Sequence, residues 1–421
     1  MFGAYDIRGV WGEDLNPSTI KILSYVFSNF FSTSTVGIGR DIRYSSDIIF
    51  NILCRFLDKD IYDYGIVSTP IMHYMSVVDN VDSLMITASH NPPKYNGIKP
   101  VKSGANDLTP EEIQSLKKMF EKYKTQQINN KGELSIENRF YRINEYFMFL
   151  QSTFEFKQRY KLAYDPANGT GFIYLDFLSN LFDVYSINNI PNGLFPAHSP
   201  DPSKEENIQQ LLSVSKDKEF GLALDGDCDR IGFIYKGEWI KSDKLIYFIS
   251  KNYLNPGDTV VLEVMLPFVL DTLLKDLGIK VLRVPTGHVN VKKYARENNA
   301  KVFGEYSGHF GFKEFYYIDD ALFTFLKVVS LIDENGFDIN EYPDIFQTRI
   351  DVPKEKVDLE SFVSSFNPIE TYTIDGYDMR FDNARVLIRE SNTEPMYRIK
   401  IEALDKDTYE ALLTKTNNLL K

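Results

Sequence analysis

The chain has 421 residues, 43% hydrophobic and 25% charged, an ordinary globular composition with material for about three domains of usual size. Lys and Arg total 47 against 59 Asp and Glu, a net charge of −12. That balance argues against nucleic acid or an anionic membrane as partner, and any anion site has to be a local cluster of cations. Two cysteines, Cys54 and Cys228, cannot make a disulfide framework. No basic segment followed by an apolar run opens the sequence, and no apolar run approaches a membrane span. The expectation is a soluble, cytoplasmic protein.

Strand and helix signals alternate through the first third. Asn16-Pro17 is an N-cap with proline at N1, opening an amphipathic run over 20–31. Residues 36–39 read as a strand. Ser46-Asp47 caps a helix to 57, and 65–67 is again strand. A short helix and the buried strand Leu84-Met85-Ile86 follow. Thr109-Pro110-Glu111-Glu112 is a capping box that starts a helix with Ile113, Leu116, Phe120 and Tyr123 on one face. Residues 125–137 are polar without periodicity and read as a linker.

The alternation resumes with a strand at 160–164, a Gly-rich turn from Asp165 to Gly171, a helix over 203–214 and a strand at 220–224. A third round runs strand 259–264, helix 268–277, strand 279–284, helix 289–298 and strand 300–303. Such alternation implies βαβ units and largely parallel sheets. From about Pro343 the pattern changes to strands at 345–352, 371–374, 384–389 and 396–403 with helices near 359–366 and 408–420. The expected fold is α/β: three related α/β modules (1–137, 138–239 and 240–343) and a C-terminal α+β domain (344–421) around a central cleft.

Three of these strands run into chemically loaded loops, where open α/β sheets bind ligands. The first is Thr87-Ala88-Ser89-His90-Asn91-Pro92-Pro93. Alone it is ordinary turn chemistry, but a serine presented at a strand end can also carry a phosphoryl group. The second, Asp225-Gly226-Asp227-Cys228-Asp229-Arg230, sets carboxylates at i, i+2 and i+4, a density that calls for a divalent cation such as magnesium. An EF-hand is excluded, because position six is Arg230, position twelve is Lys236 and the flanks are strands. The third, Gly304-Glu305-Tyr306-Ser307-Gly308-His309, offers a carboxylate and a hydroxyl suited to sugar hydroxyls.

A fourth loop, Arg389-Glu390-Ser391-Asn392-Thr393-Glu394-Pro395, joins two strands of the last domain. Ser391-x-x-Glu394 has the form of a capping box, but Pro395 and the strand after it leave no helix to cap. A phosphate cradle is the better account.

In this order the four loops, with Ala4-Tyr5-Asp6-Ile7-Arg8-Gly9 and Asn96-Gly97-Ile98-Lys99, resemble the α-D-phosphohexomutases, specifically the phosphomannomutase/phosphoglucomutase branch. The resemblance spans essentially the whole chain. It implies four domains around a cleft, the last a mobile phosphate-binding domain, and interconversion of hexose 1-phosphate and hexose 6-phosphate (mannose and/or glucose) through a 1,6-bisphosphate. Ser89 would carry the phosphoryl group. Asp225, Asp227 and Asp229 would hold Mg²⁺ with a Ser89 phosphate oxygen, and Arg230 would neutralise that phosphate. Arg8, Lys99 and His309 would lie at the transferring group as proton donors, acceptors or charge stabilisers. His288, Glu305 and Ser307 would serve the sugar, and Arg389, Ser391, Asn392 and Thr393 the substrate's second phosphate. A hexose 1,6-bisphosphate would be the activator, a phosphosugar the substrate, and the protein a monomer or homodimer.

Asn392 favours this branch over the phosphoglucosamine mutases, which tend to carry glycine there. The same loops would also suit a phosphosugar phosphatase, with the phosphoserine hydrolysed, or a non-catalytic phosphosugar sensor. Cys228 stands where the family's metal loop usually has glycine, and Glu263-Val264-Met265-Leu266 lacks a lysine expected in some relatives.

Overall fold

Capping chemistry starts the helices where the sequence signals them. Asn16 accepts hydrogen bonds from the Ser18 and Thr19 N–H groups, the Asn16 N–H donates in turn to Thr19 Oγ1, and Pro17 opens helix Pro17–Phe30. Thr109 and Glu112 make the reciprocal box that opens helix Pro110–Tyr123. Helix Ser46–Phe56 differs from expectation, because its cap position is Ser45 with no side-chain cap bond. The Ser46 hydroxyl is instead drawn to Asp41.

The computed structural model describes residues 1–126, 135–391 and 395–420. The described chain forms two compact units, one of Met1–Lys241 with Ser307–Gly336, the other of Ser242–Tyr306 with Phe337–Lys421. Among the described residues no helix is long and apolar enough to cross a membrane.

The first unit holds two mixed sheets. One contains β1 (Ile7–Val10), β2 (Thr35–Arg40), β3 (Asp60–Ile66), β4 (Asp82–Ile86), β5 (Tyr95–Lys102), β6 (Asn106–Asp107) and β7 (Ile136–Asn138). Its order is β1-β5-β4-β2-β3-β7, with β6 on β5. The β4-β2-β3-β7 run is parallel, so the end of the expected linker is in fact a strand paired with β3. Strand β5 is antiparallel to both β4 and β1, which sets Lys99 beside Met85 and Gly97 beside Arg8. The core beneath is aliphatic and aromatic, with Ile38, Leu84, Ile86 and Ile98 fully buried.

The second sheet orders β8 (Lys161–Asp165), β9 (Asp183–Ser186), β10 (Phe220–Leu224), β11 (Ile231–Tyr235) and β12 (Glu238–Ile240) as β12-β11-β10-β8-β9. Strands β10 and β11 are an antiparallel pair, so the Asp225–Arg230 stretch is the connection of a hairpin. Helix Ala321–Asn335, capped by Asp320, packs against β11. Its apolar residues face burial on every side, so no helical periodicity marks it in the sequence.

In the second unit β13 (Thr259–Glu263) lies between β14 (Lys280–Val284) and β15 (Val302–Gly304), all parallel. Helices Ser242–Tyr253, Val269–Asp276 and His288–Glu297 belong to this module. Strand β16 (Phe310–Phe312) lies in the first unit. The C-terminal sheet is antiparallel throughout, in the order β17 (Phe346–Pro353), β21 (Met396–Ala403), β20 (Ala384–Glu390), β19 (Tyr377–Arg380) and β18 (Glu370–Tyr372). Helices Leu359–Ser364 and Lys406–Leu419 accompany it, and Phe362, Ile388, Ile399 and Ile401 are in its core.

Candidate active site

Strand β4 is buried along its whole length and releases the chain into the Thr87–Asn91 turn. Ser89 is buried and takes a left-handed backbone with φ +47°, an uncommon conformation for a residue with a side chain. Its N–H donates to Thr87 Oγ1 at 2.9 Å, and its hydroxyl donates to Asp225 Oδ2 at 2.8 Å. His90 Nδ1 lies 3.1 Å from the same hydroxyl. Adjacent side chains on a loop seldom converge, but the left-handed turn brings these two together. The positive charge of Arg230, then burial, holds the His90 imidazole well below its ordinary pKa.

The hairpin between β10 and β11 comes up against this turn so closely that a Cβ on Gly226 would sit 2.5 Å from the Ser89 carbonyl oxygen. Only glycine fits there. Cys228 has φ +68°, a left-handed conformation that glycine adopts without strain; its thiol is buried 3.4 Å from Thr170 Oγ1. Asp225, Asp227 and Asp229 are all buried, with one oxygen of each within 4.8 Å of the others.

Burial, with Asp229 and Asp227, pushes Asp225 well above the ordinary carboxylate range. Burial also opposes charge on Asp229, but Lys99, His309 and Arg230 outweigh it and hold that carboxyl well below its usual value. Asp227 Oδ1 has no hydrogen-bond partner among the described residues. Three buried carboxylates with an orphaned oxygen are the donor set of a hard divalent cation, and the residues fit one. Asp225, Asp227 and Asp229 would hold it.

The cations come from three separate elements. Lys99 on β5 donates to Asp227 Oδ2 at 2.7 Å and Asp229 Oδ2 at 2.8 Å. Burial works against its charge, yet the two aspartates raise its pKa, so it stays protonated. Arg8 on β1 donates to Asn91 Oδ1 and Asp6 Oδ2, each at 2.6 Å. Arg230 bridges by its backbone to His309, and its Nε lies 3.3 Å from His309 Nε2. The same His309 nitrogen is 3.2 Å from Asp229 Oδ1, and Nδ1 is 2.9 Å from the Ser307 hydroxyl.

The structure thus brings Ser89, Arg8, Lys99, Arg230, His309 and the three aspartates into one centre, with Ser307 against its histidine. Sequence reasoning missed four contributors. Thr69, at the start of helix Thr69–Asp79, donates its hydroxyl to Asp227 Oδ2 at 2.6 Å. Asp319 has a carboxylate oxygen within 4.8 Å of His309 and Asp229 ligand atoms. Asp41 and Arg43 hold the Ser89 turn. All four act across long sequence separations and belong to no motif; only Asp319, in an Asp-Asp pair, carries even a local signal.

The second unit carries His288, Glu305, Arg389 and Ser391. Glu305 is buried at the end of β15, and the neighbouring Tyr306 N–H donates to Glu263 Oε2 at 2.9 Å. Burial, then the charge of Glu305, pushes the Glu263 carboxyl up to about 7. His288 opens its helix directly after Gly287. Arg389 is buried, donates from Nε to Asp375 Oδ2 at 2.8 Å, and has an Nη2 without hydrogen-bond partner among the described residues. The Ser391 N–H closes the loop on Met396 O at 2.9 Å. Asn392 and Thr393 lie outside the described residues.

Comparison with known proteins gives the same arrangement a lineage. Family models described as phosphoglucomutase/phosphomannomutase match throughout: alpha/beta/alpha domain I over residues 1–127, domain II over 144–238, domain III over 241–348, and the C-terminal domain over 343–418. A phosphoglucomutase of Neisseria meningitidis is 31% identical, covering 98% of this chain and 94% of its own. A phosphomannomutase of Methanocaldococcus jannaschii is 29% identical over 100% of this chain and 97% of its own. The solved structure of a phosphoglucomutase/phosphomannomutase family protein from Burkholderia thailandensis superposes with a TM-score of 0.90 at 27% identity, covering 100% of this chain and 96% of that one. With its loops, its sheets and its whole length accounted for in this way, the chain belongs to the phosphoglucomutase/phosphomannomutase family of intramolecular phosphotransferases.

Proposed function

We propose that this chain interconverts hexose 1-phosphate and hexose 6-phosphate, with mannose and/or glucose as the sugar, by way of a phosphoryl group on Ser89. The observation that carries this reading is the Ser89 hydroxyl hydrogen-bonded to Asp225 inside a buried group of three carboxylates, two of which accept from the buried Lys99. A sugar hydroxyl oxygen forms a new P–O bond as the P–Oγ bond of phospho-Ser89 breaks, giving a hexose 1,6-bisphosphate. The hydroxyl proton passes to a base of the same centre, a role assigned to His309, whose imidazole lies against Arg230 and Asp229. In the second half the other phosphate returns to the Ser89 oxygen, and the sugar oxygen it leaves takes up a proton.

Phosphoryl transfer needs positioning and charge neutralisation above all. Lys99, held protonated, and Arg230 supply fixed positive charge. Magnesium on Asp225, Asp227 and Asp229 would add further positive charge against the phosphate oxygens. Glu305, Ser307 and His288 are assigned to the sugar hydroxyls and Arg389, Ser391, Asn392 and Thr393 to the phosphate that does not react. A buried guanidinium nitrogen with no partner among the described residues supports an anion at Arg389. Hexose 1,6-bisphosphate would serve as activator by restoring phosphate to Ser89.

The test is intact mass of the purified protein, with peptide mapping, and turnover of mannose 1-phosphate, glucose 1-phosphate and glucosamine 1-phosphate in the presence of a bisphosphate. One phosphate on Ser89 and turnover of a neutral hexose phosphate are expected. Ser89→Ala should drop kcat below about one-thousandth. Full activity of that variant would overturn the mechanism, and preference for the amino sugar would overturn the substrate assignment.

A further inference from the structure

Arg43 lies outside every motif, yet all five N–H donors of its guanidinium are engaged. Nη2 donates to the carbonyls of Ser89 and Asn91, both at 2.7 Å, and Nη1 to those of Pro92 at 2.9 Å and Tyr95 at 3.0 Å. Nε donates to Asp41 Oδ2 at 3.1 Å. The pair is buried: both side chains are almost without exposure, and the Phe195 ring lies 4.9 Å from the guanidinium carbon. Asp41 is fully engaged as well. It accepts the Ser46 hydroxyl, the Arg43 N–H and, at 2.8 Å, the Thr87 hydroxyl. Thr87 Oγ1 in turn accepts the Ser89 N–H.

One ion pair therefore fixes the phosphorylatable serine from both sides of its backbone. Arg43 takes its carbonyl directly, and Asp41 takes its N–H through Thr87. What this constrains is a residue at φ +47° whose hydroxyl points at Asp225, a conformation that persists only where the surroundings over-determine it. Four carbonyls of a single loop bound to one guanidinium leave it no donor for a substrate. Its role is mechanical.

We propose that Arg43, seated on Asp41, is a positioning residue for phosphoryl transfer: it holds Ser89 in the left-handed turn that aims its oxygen into the aspartate cluster, and so sets kcat without contributing to phosphosugar binding. The proposal rests on Ser89 being the phosphoryl carrier. Misplacement of a reacting atom by about 1 Å costs on the order of 100-fold in rate, whereas the side chains assigned to the sugar and its second phosphate are untouched.

Arg43→Lys keeps the charge beside Asp41 but puts its three donors on one nitrogen, too few to span four carbonyls. At a temperature where circular dichroism shows the variant folded, kcat should fall about 10- to 100-fold with KM within twofold. Phosphorylation of the enzyme by hexose 1,6-bisphosphate, followed by intact mass, should slow by the same factor. Methylguanidinium added to Arg43→Ala should restore part of kcat without raising the melting temperature, which a purely structural role would not produce. Should Arg43→Lys fail to fold, Thr87→Val preserves volume, removes the acceptor of the Ser89 N–H, and should give the same loss in kcat alone.

A folded variant with kcat within twofold, or one in which KM alone rises, overturns the proposal. Wild-type protein that carries and accepts no phosphate on Ser89 overturns the phosphoserine reading instead, so the two failures are distinguishable.

Discussion

Asp320 shows what a single buried carboxyl does away from the active centre. One oxygen accepts the Tyr146 hydroxyl at 2.7 Å and the other caps helix Ala321–Asn335 through the Leu322 and Phe323 N–H groups. Burial nevertheless dominates these bonds and raises its pKa from 3.8 to about 7. Between those values the folded protein holds a proton that the unfolded chain has released, so stability falls as pH rises through that window and levels off above it. Asp320→Asn retains an acceptor and a cap but cannot ionise. Its melting temperature relative to wild type should climb from pH 5 to pH 8; a difference that does not change with pH would count against this account. At the same scale, the three aspartates and Ser89 were legible in the sequence because their residue types and spacing are local. Arg43 and Thr69 were not, since each acts on atoms more than 40 residues away. The cost of Cys228 was half legible: the sequence showed a departure from glycine, and only the backbone angle shows why that departure is strained.

Among the elements, the connection leaving β13 is fastened by charged side chains of β20 and β21. Arg385 donates to the carbonyls of Leu266, at 3.0 Å, and Val264. Lys400 donates to that of Met265 at 2.6 Å, and the Phe268 N–H donates to Glu402 Oε2 at 3.2 Å. All three charged residues are buried, with Asp378 completing the pairing of Arg385 at 2.7 Å. The segment Glu263-Val264-Met265-Leu266, which lacks the lysine expected in some relatives, thus has a buried cation from another strand against its backbone, while Met265 itself packs with Val264 and Leu387. Alternation in an antiparallel strand reads such residues as a solvated face; burial here depends on contact between modules, which periodicity cannot register. Removing one member of a buried charge network strands the others. Arg385→Met should cost about 3–5 kcal/mol, read as lost hydrogen-exchange protection across β19, β20 and β21 in rising urea. Lys354→Met, which deletes a surface pair with Glu390, should cost under about 1 kcal/mol in the same measurement. Equal effects would show that the buried network is not what secures these strands.

The whole chain packs in an order different from the one in which it is written. Sequence modules end near residue 240, but the first unit takes up Ser307–Gly336 as well. Helix Ala321–Asn335 in that returning segment buries ten of its 15 residues. Phe325 lies 5.4 Å from Phe182 and 6.2 Å from both Phe220 and Phe233, and Phe323 lies 5.2 Å from Phe154 and 4.6 Å from Phe315. Eight of the buried residues are large apolar side chains, worth together more than about 12 kcal/mol at roughly 1.5–3 kcal/mol each. That is comparable with the entire stability of a typical domain, about 5–15 kcal/mol. The same segment delivers His309 to Arg230 and Asp229. A fragment of residues 1–241, cut where the sequence modules divide, should therefore lack a core helix even though both its sheets are intact. It should bind anilinonaphthalene sulfonate, be cleaved rapidly by protease between β8 and β12, and recover resistance when residues 307–336 are co-expressed with it. Native-like protease resistance of the fragment alone would show that the helix covers this sheet without being needed to hold it.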